Sequence, residues 1–138
     1  MPDPDKYYDP LRCKWVAATP EEMVRQWFIG ILKEKAGVPL HMMMTEVALE
    51  YGPKKWRADV LVWAASGKPL ALVECKRPGI AIDAKVAEQA LRYHAVGNVG
   101  YIILTNGLDT RVFKREEDGF EPLDHIPTYT EMREQCPQ

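Results

Sequence analysis

At 138 residues, with 46% hydrophobic and 28% charged residues, the chain has the make-up of one globular domain and is too short for two ordinary ones. No run approaches the ~18 uncharged residues that span a bilayer, and "MPDPDKYYDP" at the N-terminus lacks the layout of a secretory signal, so a cytoplasmic protein without membrane contact is expected. A formal net charge of −2 excludes nucleic-acid binding driven by overall basicity; any such function must rest on a local patch or on a partner.

Residues 1–18, proline-containing and with the pair Tyr7-Tyr8, read as an irregular lead-in. Then "TPEEMVRQWFIGILKEKAG" predicts a helix with Thr19 as N-cap, Pro20 in the first turn, Glu22 closing a capping box and Gly37 as the stop. Val24, Trp27, Phe28, Ile31 and Leu32 form its apolar stripe, and the spacing puts Glu21 on the same side with Glu22 pointing away. Residues 42–50 and 56–64 are β-type runs joined through "YGPKK" as a hairpin, and "SGK" turns the chain into a third strand, "PLALVECK". After "RPGIAID", Asp83 caps a second helix over 84–96 with Val86, Ala90, Leu91 and Tyr93 on its apolar face. "VGYIILT" predicts a strand covered on both faces, "NGLD" a turn and "TRVFKR" a last strand. The segment from 116 to 138 reads as a charged tail, on or extending from the domain, with a short helical turn near its end. Helix, three strands, helix, two strands predict an α/β fold with a mixed central sheet flanked by helices.

Alternation along the third strand places Leu70, Leu72, Glu74 and Lys76 on one side and Ala71, Val73 and Cys75 on the other. Glu74 and Lys76 are then ~7 Å apart. An antiparallel connection through "SGK" brings Asp59 of "RADVLVW" beside Glu74. Two such carboxylates repel unless a cation sits between them, and Mg²⁺, or Mn²⁺ in its place, suits Asp59, Glu74, the backbone carbonyl of Cys75 and several waters. A lysine at that edge orients the attacking water or offsets charge on a phosphate, which completes the parts for phosphodiester hydrolysis.

Each part also has a plainer reading. Glu74 with Lys76 is a strand-end ion pair contributing ~0.2–1 kcal/mol, and Asp59 beside Arg57 a surface acid. Cys75 faces away from Glu74 and is a small core residue rather than a nucleophile. The three cysteines, Cys13, Cys75 and Cys136, form no CxxC pair and are expected to be free thiols. "HMMMTE" offers soft-metal ligands, but methionines filling core gaps explain it better. His94 either reaches the cleft or caps the helix end. Arg77, Lys85, Arg92 and Arg111 make a basic patch for a DNA backbone or are scattered solvated charges.

The ordered set "TPEE.VRQ", "RADVLV", "LVECKRP", "EQALRY" and "YIILTNG" resembles the N-terminal nuclease domain of type I restriction enzyme R subunits, in the PD-(D/E)XK superfamily, from about Thr19 to Lys114. The resemblance implies a restriction endonuclease-like core over 19–115 and a Mg²⁺-dependent DNA endonuclease. In its terms Asp59 and Glu74-Cys75-Lys76 hold the metal and catalytic positions, Glu21 is the first-helix glutamate, and Gln89 and Tyr93, one turn apart, supply the helical Gln-x-x-x-Tyr motif. Arg77 is a further candidate for contacting DNA. Ala58 stands where the superfamily has proline. R subunits continue into a DNA-translocating motor, so a stand-alone relative, a fragment or a borrowed domain is expected. A motor or a methyltransferase and specificity subunit would be its partners, with a homodimer for double-strand cutting. The alternative is a non-catalytic nuclease-fold module for nucleic-acid docking or assembly; action on RNA or a nucleotide is a third option.

Overall fold

The computed structural model describes residues 5–51 and 54–135; Cys136 and the Gly-Pro pair of the predicted hairpin connection lie outside them. In chain order the elements are β1 (Lys6–Asp9), β2 (Lys14–Ala17), α1 (Pro20–Glu34), β3 (Met43–Tyr51), β4 (Lys54–Trp63), β5 (Pro69–Cys75), α2 (Ala84–His94), β6 (Tyr101–Thr105), β7 (Thr110–Glu116), β8 (Gly119–Leu123) and α3 (Tyr129–Gln135). β3 to β8 form a six-stranded sheet in sequential order, with β5 and β6 parallel across α2 and the other neighbours antiparallel. A mixed α/β sheet covered by helices is the predicted class.

Apolar side chains alternate between the two faces. Phe28, Ile29 and Leu32 of α1 and Met132 of α3 pack with Val60, Val62, Val73 and Ile103. Ala87 and Ala90 of α2 pack with Leu61, Leu72, Ile102 and Leu104 on the other face. Each such Leu, Ile or Phe contributes ~1.5–3 kcal/mol through burial, several times the worth of an exposed ion pair, so these two layers hold the sheet together. All five residues of β6 are buried, as a doubly covered strand requires.

Two segments read as irregular are ordered. Residues 6–17 form an antiparallel hairpin, Lys6↔Ala17 to Asp9↔Lys14. Its turn carries no glycine: the Asp9 carboxylate accepts the Leu11 N–H at 2.8 Å, and Cys13 takes the left-handed conformation at φ 51°. In the predicted tail, β8 extends the sheet beyond β7, and α3 buries Met132 while the Tyr129 hydroxyl donates to the Trp63 carbonyl at 2.8 Å. The tail thus closes one face of the core.

Helix caps follow the sequence. Thr19 accepts from Glu22 N at 3.1 Å and Asp83 from Val86 N at 2.9 Å, and Gly37 has a φ of 73° after α1. The stripe of α1 is rotated from the prediction. Glu22 and Arg25 are buried, whereas Glu21 is exposed and Trp27 is 44% exposed. The cause is a buried ion cluster: the Glu22 carboxylate binds Arg12, Arg25 and Gln26 instead of completing a capping box. On α2 the buried positions are Ala87, Ala90 and His94, and Tyr93 is exposed. Met43 fills the core as expected of a methionine-rich strand, but Met44 faces solvent. Cys13 and Cys75 are free thiols.

Gly97, just beyond α2, is a close-approach glycine. A Cβ there would lie 2.7 Å from Cζ2 of Trp56, itself 1% exposed. Gly97→Ala is therefore expected to lower unfolding free energy by ~1–3 kcal/mol in a denaturant titration, because the indole must leave its slot. An unchanged midpoint would contradict that packing.

Candidate active site

The site lies where the β4–β5 ladder ends. Pairing runs from Val62↔Ala71 to Val60↔Val73 and stops, so the strands separate at Asp59 and Glu74. In place of a ladder bond, Asp59 Oδ2 accepts the Cys75 N–H at 2.7 Å. On the other side of β4 the β3 ladder is interrupted between Thr45↔Val60 and Val47↔Ala58, where Glu46 adopts φ 51°. A left-handed non-glycine residue costs ~1–2 kcal/mol of backbone energy. The Glu46 carboxylate offsets part of that through Arg12 at 3.3 Å and Arg25 at 3.4 Å.

A pocket of about 420 Å³ opens at this fork. Glu21, Glu46, Asp59 and Glu74 line it against Arg25, Arg57 and Lys76, four carboxylates to three cations, with Tyr93 at its wall. Glu74 is engaged through both oxygens: Lys76 Nζ lies 2.8 Å from Oε2 and His94 Nε2 2.7 Å from Oε1. Burial acts to raise its pKa, but the hydrogen bonds from His94 and Lys76 and the charge of Lys76 overcome it and bring the group to about 2. Asp59 is shifted the opposite way. Burial dominates there, the Cys75 N–H and Arg25 only partly offset it, and the charges of Glu74 and Glu21 push further in the same direction. The Cys75 thiol is pushed up by burial and by Asp59, which leaves it an inert core group.

Asp59, Glu74, Cys75, Lys76, Glu21 and Tyr93 thus share one pocket. Glu21 reaches it from an exposed position rather than from the buried side. The Tyr93 hydroxyl accepts the Arg57 N–H at 3.0 Å. Gln89 is exposed on α2 and does not line this pocket. Arg77 lies instead on a separate groove of about 540 Å³ beside Tyr7, Pro20 and Met23. Arg92 and Arg111 are paired with Glu88 and Asp109, so the predicted basic patch is partly neutralised.

Arg25, Glu46 and Arg57 are not predicted from sequence. Arg25 had a signal: it precedes Ile29 and Leu32 at helical spacing, so a charge stood on a buried stripe. Its guanidinium reaches Asp59 at 3.4 Å, and its buried Nε has no hydrogen-bond partner among the described residues.

The donor set suits a hard ion. Among the described residues no group of three His, Cys, Asp or Glu side chains is placed to hold a metal, so Asp59, Glu74 and the Cys75 carbonyl would need water to complete a shell. That requirement fits Mg²⁺, which keeps several waters, and not a closed zinc site.

A family model described as type I restriction enzyme R protein N terminus matches residues 20–127. The fold is similar to a fragment structure provisionally described as an HsdR subunit of a type I restriction enzyme from Vibrio vulnificus YJ016, with a TM-score of 0.63, 20% identity and 85% of this chain covered. The chain spans only 25% of that one. A protein from Anabaena variabilis ATCC 29413, provisionally described as a nuclease belonging to DUF820, aligns over 97% of this chain and 88% of its own, with a TM-score of 0.51 and 13% identity. No curated protein sequence matches. The match over residues 20–127 covers most of the chain, which therefore belongs to the family of type I restriction enzyme R protein N-termini.

Proposed function

We propose that the chain is a Mg²⁺-dependent DNA endonuclease domain hydrolysing phosphodiester bonds. The observation that carries this reading is the convergence of Asp59, Glu74 and Lys76 in one pocket at the end of the β4–β5 ladder. Asp59 and Glu74, with the Cys75 carbonyl, would hold the ion. Bound there, Mg²⁺ would polarise the phosphate and lower the pKa of a bound water.

The chain's own residues supply the rest. Cys75 N–H fixes one oxygen of Asp59, and His94 fixes one of Glu74, so neither carboxylate must be ordered when substrate arrives. Lys76, ion-paired with Glu74, offers a positive charge to a phosphate oxygen or orients the attacking water. Glu21 adds negative charge at the mouth, and exposed Tyr93, Gln89 and Arg77 would contact the DNA around the pocket. The family context adds a motor and a methyltransferase or specificity subunit as partners, with a homodimer for cutting both strands. Work on DNA in the cytoplasm goes with this reading; separately, none of the helices among the described residues is long and apolar enough to cross a membrane.

Plasmid nicking tests the reading. Supercoiled DNA is expected to relax with Mg²⁺ or Mn²⁺ and to stay intact in EDTA; cleavage unaffected by EDTA would refute it. One observation favours a second reading, a non-catalytic docking or assembly module: both Glu74 oxygens already have protein partners. Such a module has no reason to bind a divalent ion, and calorimetric titration with Mn²⁺ separates the two.

A further inference from the structure

The last turn of α2 grips both strands of the fork. His94 is 1% exposed and lies between Trp56 of β4 and Glu74 of β5, 3.0 Å from the indole Nε1 and 2.7 Å from the carboxylate. An indole N–H can only donate. Nδ1 of His94 must therefore accept, and it carries no proton while that bond stands. The ring proton is assigned to Nε2, where it donates to Glu74 Oε1. The preceding residue, Tyr93, accepts the Arg57 N–H. One helical turn thus ties Trp56 and Arg57 on β4 to Glu74 on β5, beyond the point where the two strands pair. Close packing against Gly97 keeps the indole in place.

We infer that His94 is a positioning residue for Glu74: Trp56 sets its tautomer, and the Nε2–H then holds the carboxylate in one orientation for a divalent ion. The inference rests on the metal role proposed for Glu74. His94 does not meet substrate, because it is almost fully buried. It is also more than filler. A carboxylate held by a fixed donor keeps its lone pairs aimed and loses less freedom on binding, and removing such an outer hydrogen bond commonly costs ten- to a hundredfold in metal affinity.

Two measurements on the full chain test it. In ¹⁵N spectra the His94 imidazole is expected to show the proton on Nε2 and none on Nδ1. In calorimetric titration with Mn²⁺, His94→Ala is expected to bind about tenfold more weakly than wild type. His94→Gln, whose amide can donate to Glu74 and accept from Trp56, is expected to recover most of that loss. Thermal unfolding of each variant identifies any that fails to fold, and the glutamine variant keeps the comparison open if the alanine one does. Equal affinities for all three proteins, or equal losses in the two variants, would overturn the inference. A proton on Nδ1 alongside normal Mn²⁺ binding would overturn it while leaving the metal reading intact. A wild type that binds no Mn²⁺ would instead overturn the metal reading, and with it the purpose assigned to His94.

Discussion

Asp59→Asn is expected to lose Mn²⁺ binding and to lower plasmid nicking by roughly a hundredfold to a thousandfold, with little cost in stability. The asparagine oxygen can still accept the Cys75 N–H, the short contact of this side chain at 2.7 Å. What disappears is a charge that burial, Glu74 and Glu21 all disfavour, together with a long 3.4 Å pairing to Arg25. The gains and losses are of similar size, so unfolding free energy should stay within ~1 kcal/mol. Lys76→Ala makes the contrast. It removes a cation from the pocket, leaving four carboxylates against Arg25 and Arg57, so Mn²⁺ binding should persist or tighten while nicking falls by a similar factor. Calorimetry and nicking on the two variants therefore separate ion holding from charge stabilisation. Undiminished nicking by Lys76→Ala would remove the lysine from the mechanism.

Much of this site was legible because strand alternation is strict. "LVECK" after an apolar strand puts Glu74 and Lys76 on one side, and a short antiparallel connection then places Asp59 opposite; the pairing Val60↔Val73 has that register. The helical contributions were harder to read. Consecutive helix positions lie about 100° apart, so a broad apolar stripe has two edges, and spacing alone puts Glu21 rather than Glu22 on the buried side. Tertiary partners decided the matter, since Arg12 of the hairpin turn and Arg25 draw Glu22 inward. The hairpin itself was hidden for a related reason. Its turn is held by the fully buried Asp9 side chain and its pairing with the half-buried Arg12, a device with no glycine to mark it. His94 has two readings from sequence because its partners, Trp56 and Glu74, come from strands 38 and 20 residues away.

Glu74→Gln is expected to change how stability responds to acid. The folded pKa of Glu74 is about 2 against 4.5 for the free side chain. A depressed carboxylate contributes stability that is fully present above pH 4.5 and lost as pH falls towards 2. With each unit worth ~1.4 kcal/mol, the contribution is about 3 kcal/mol at neutral pH. In the glutamine variant that component of the acid slope should vanish, and denaturant titrations at pH 7 and pH 3 should differ by correspondingly less than in wild type. Asp59 works with the opposite sign: its folded pKa lies above the free value, so its charge opposes folding at neutral pH and the penalty is relieved as pH falls. Asp59→Asn should therefore steepen the net loss of stability towards acid, while Glu74→Gln should flatten it. Parallel slopes in the two variants would mean that the carboxylates share one environment. Divergent slopes would establish two environments within one pocket: a Glu74 held ionised by His94 and Lys76, and an Asp59 whose charge lacks full compensation from the protein. That unmet charge is the pull a divalent cation would answer.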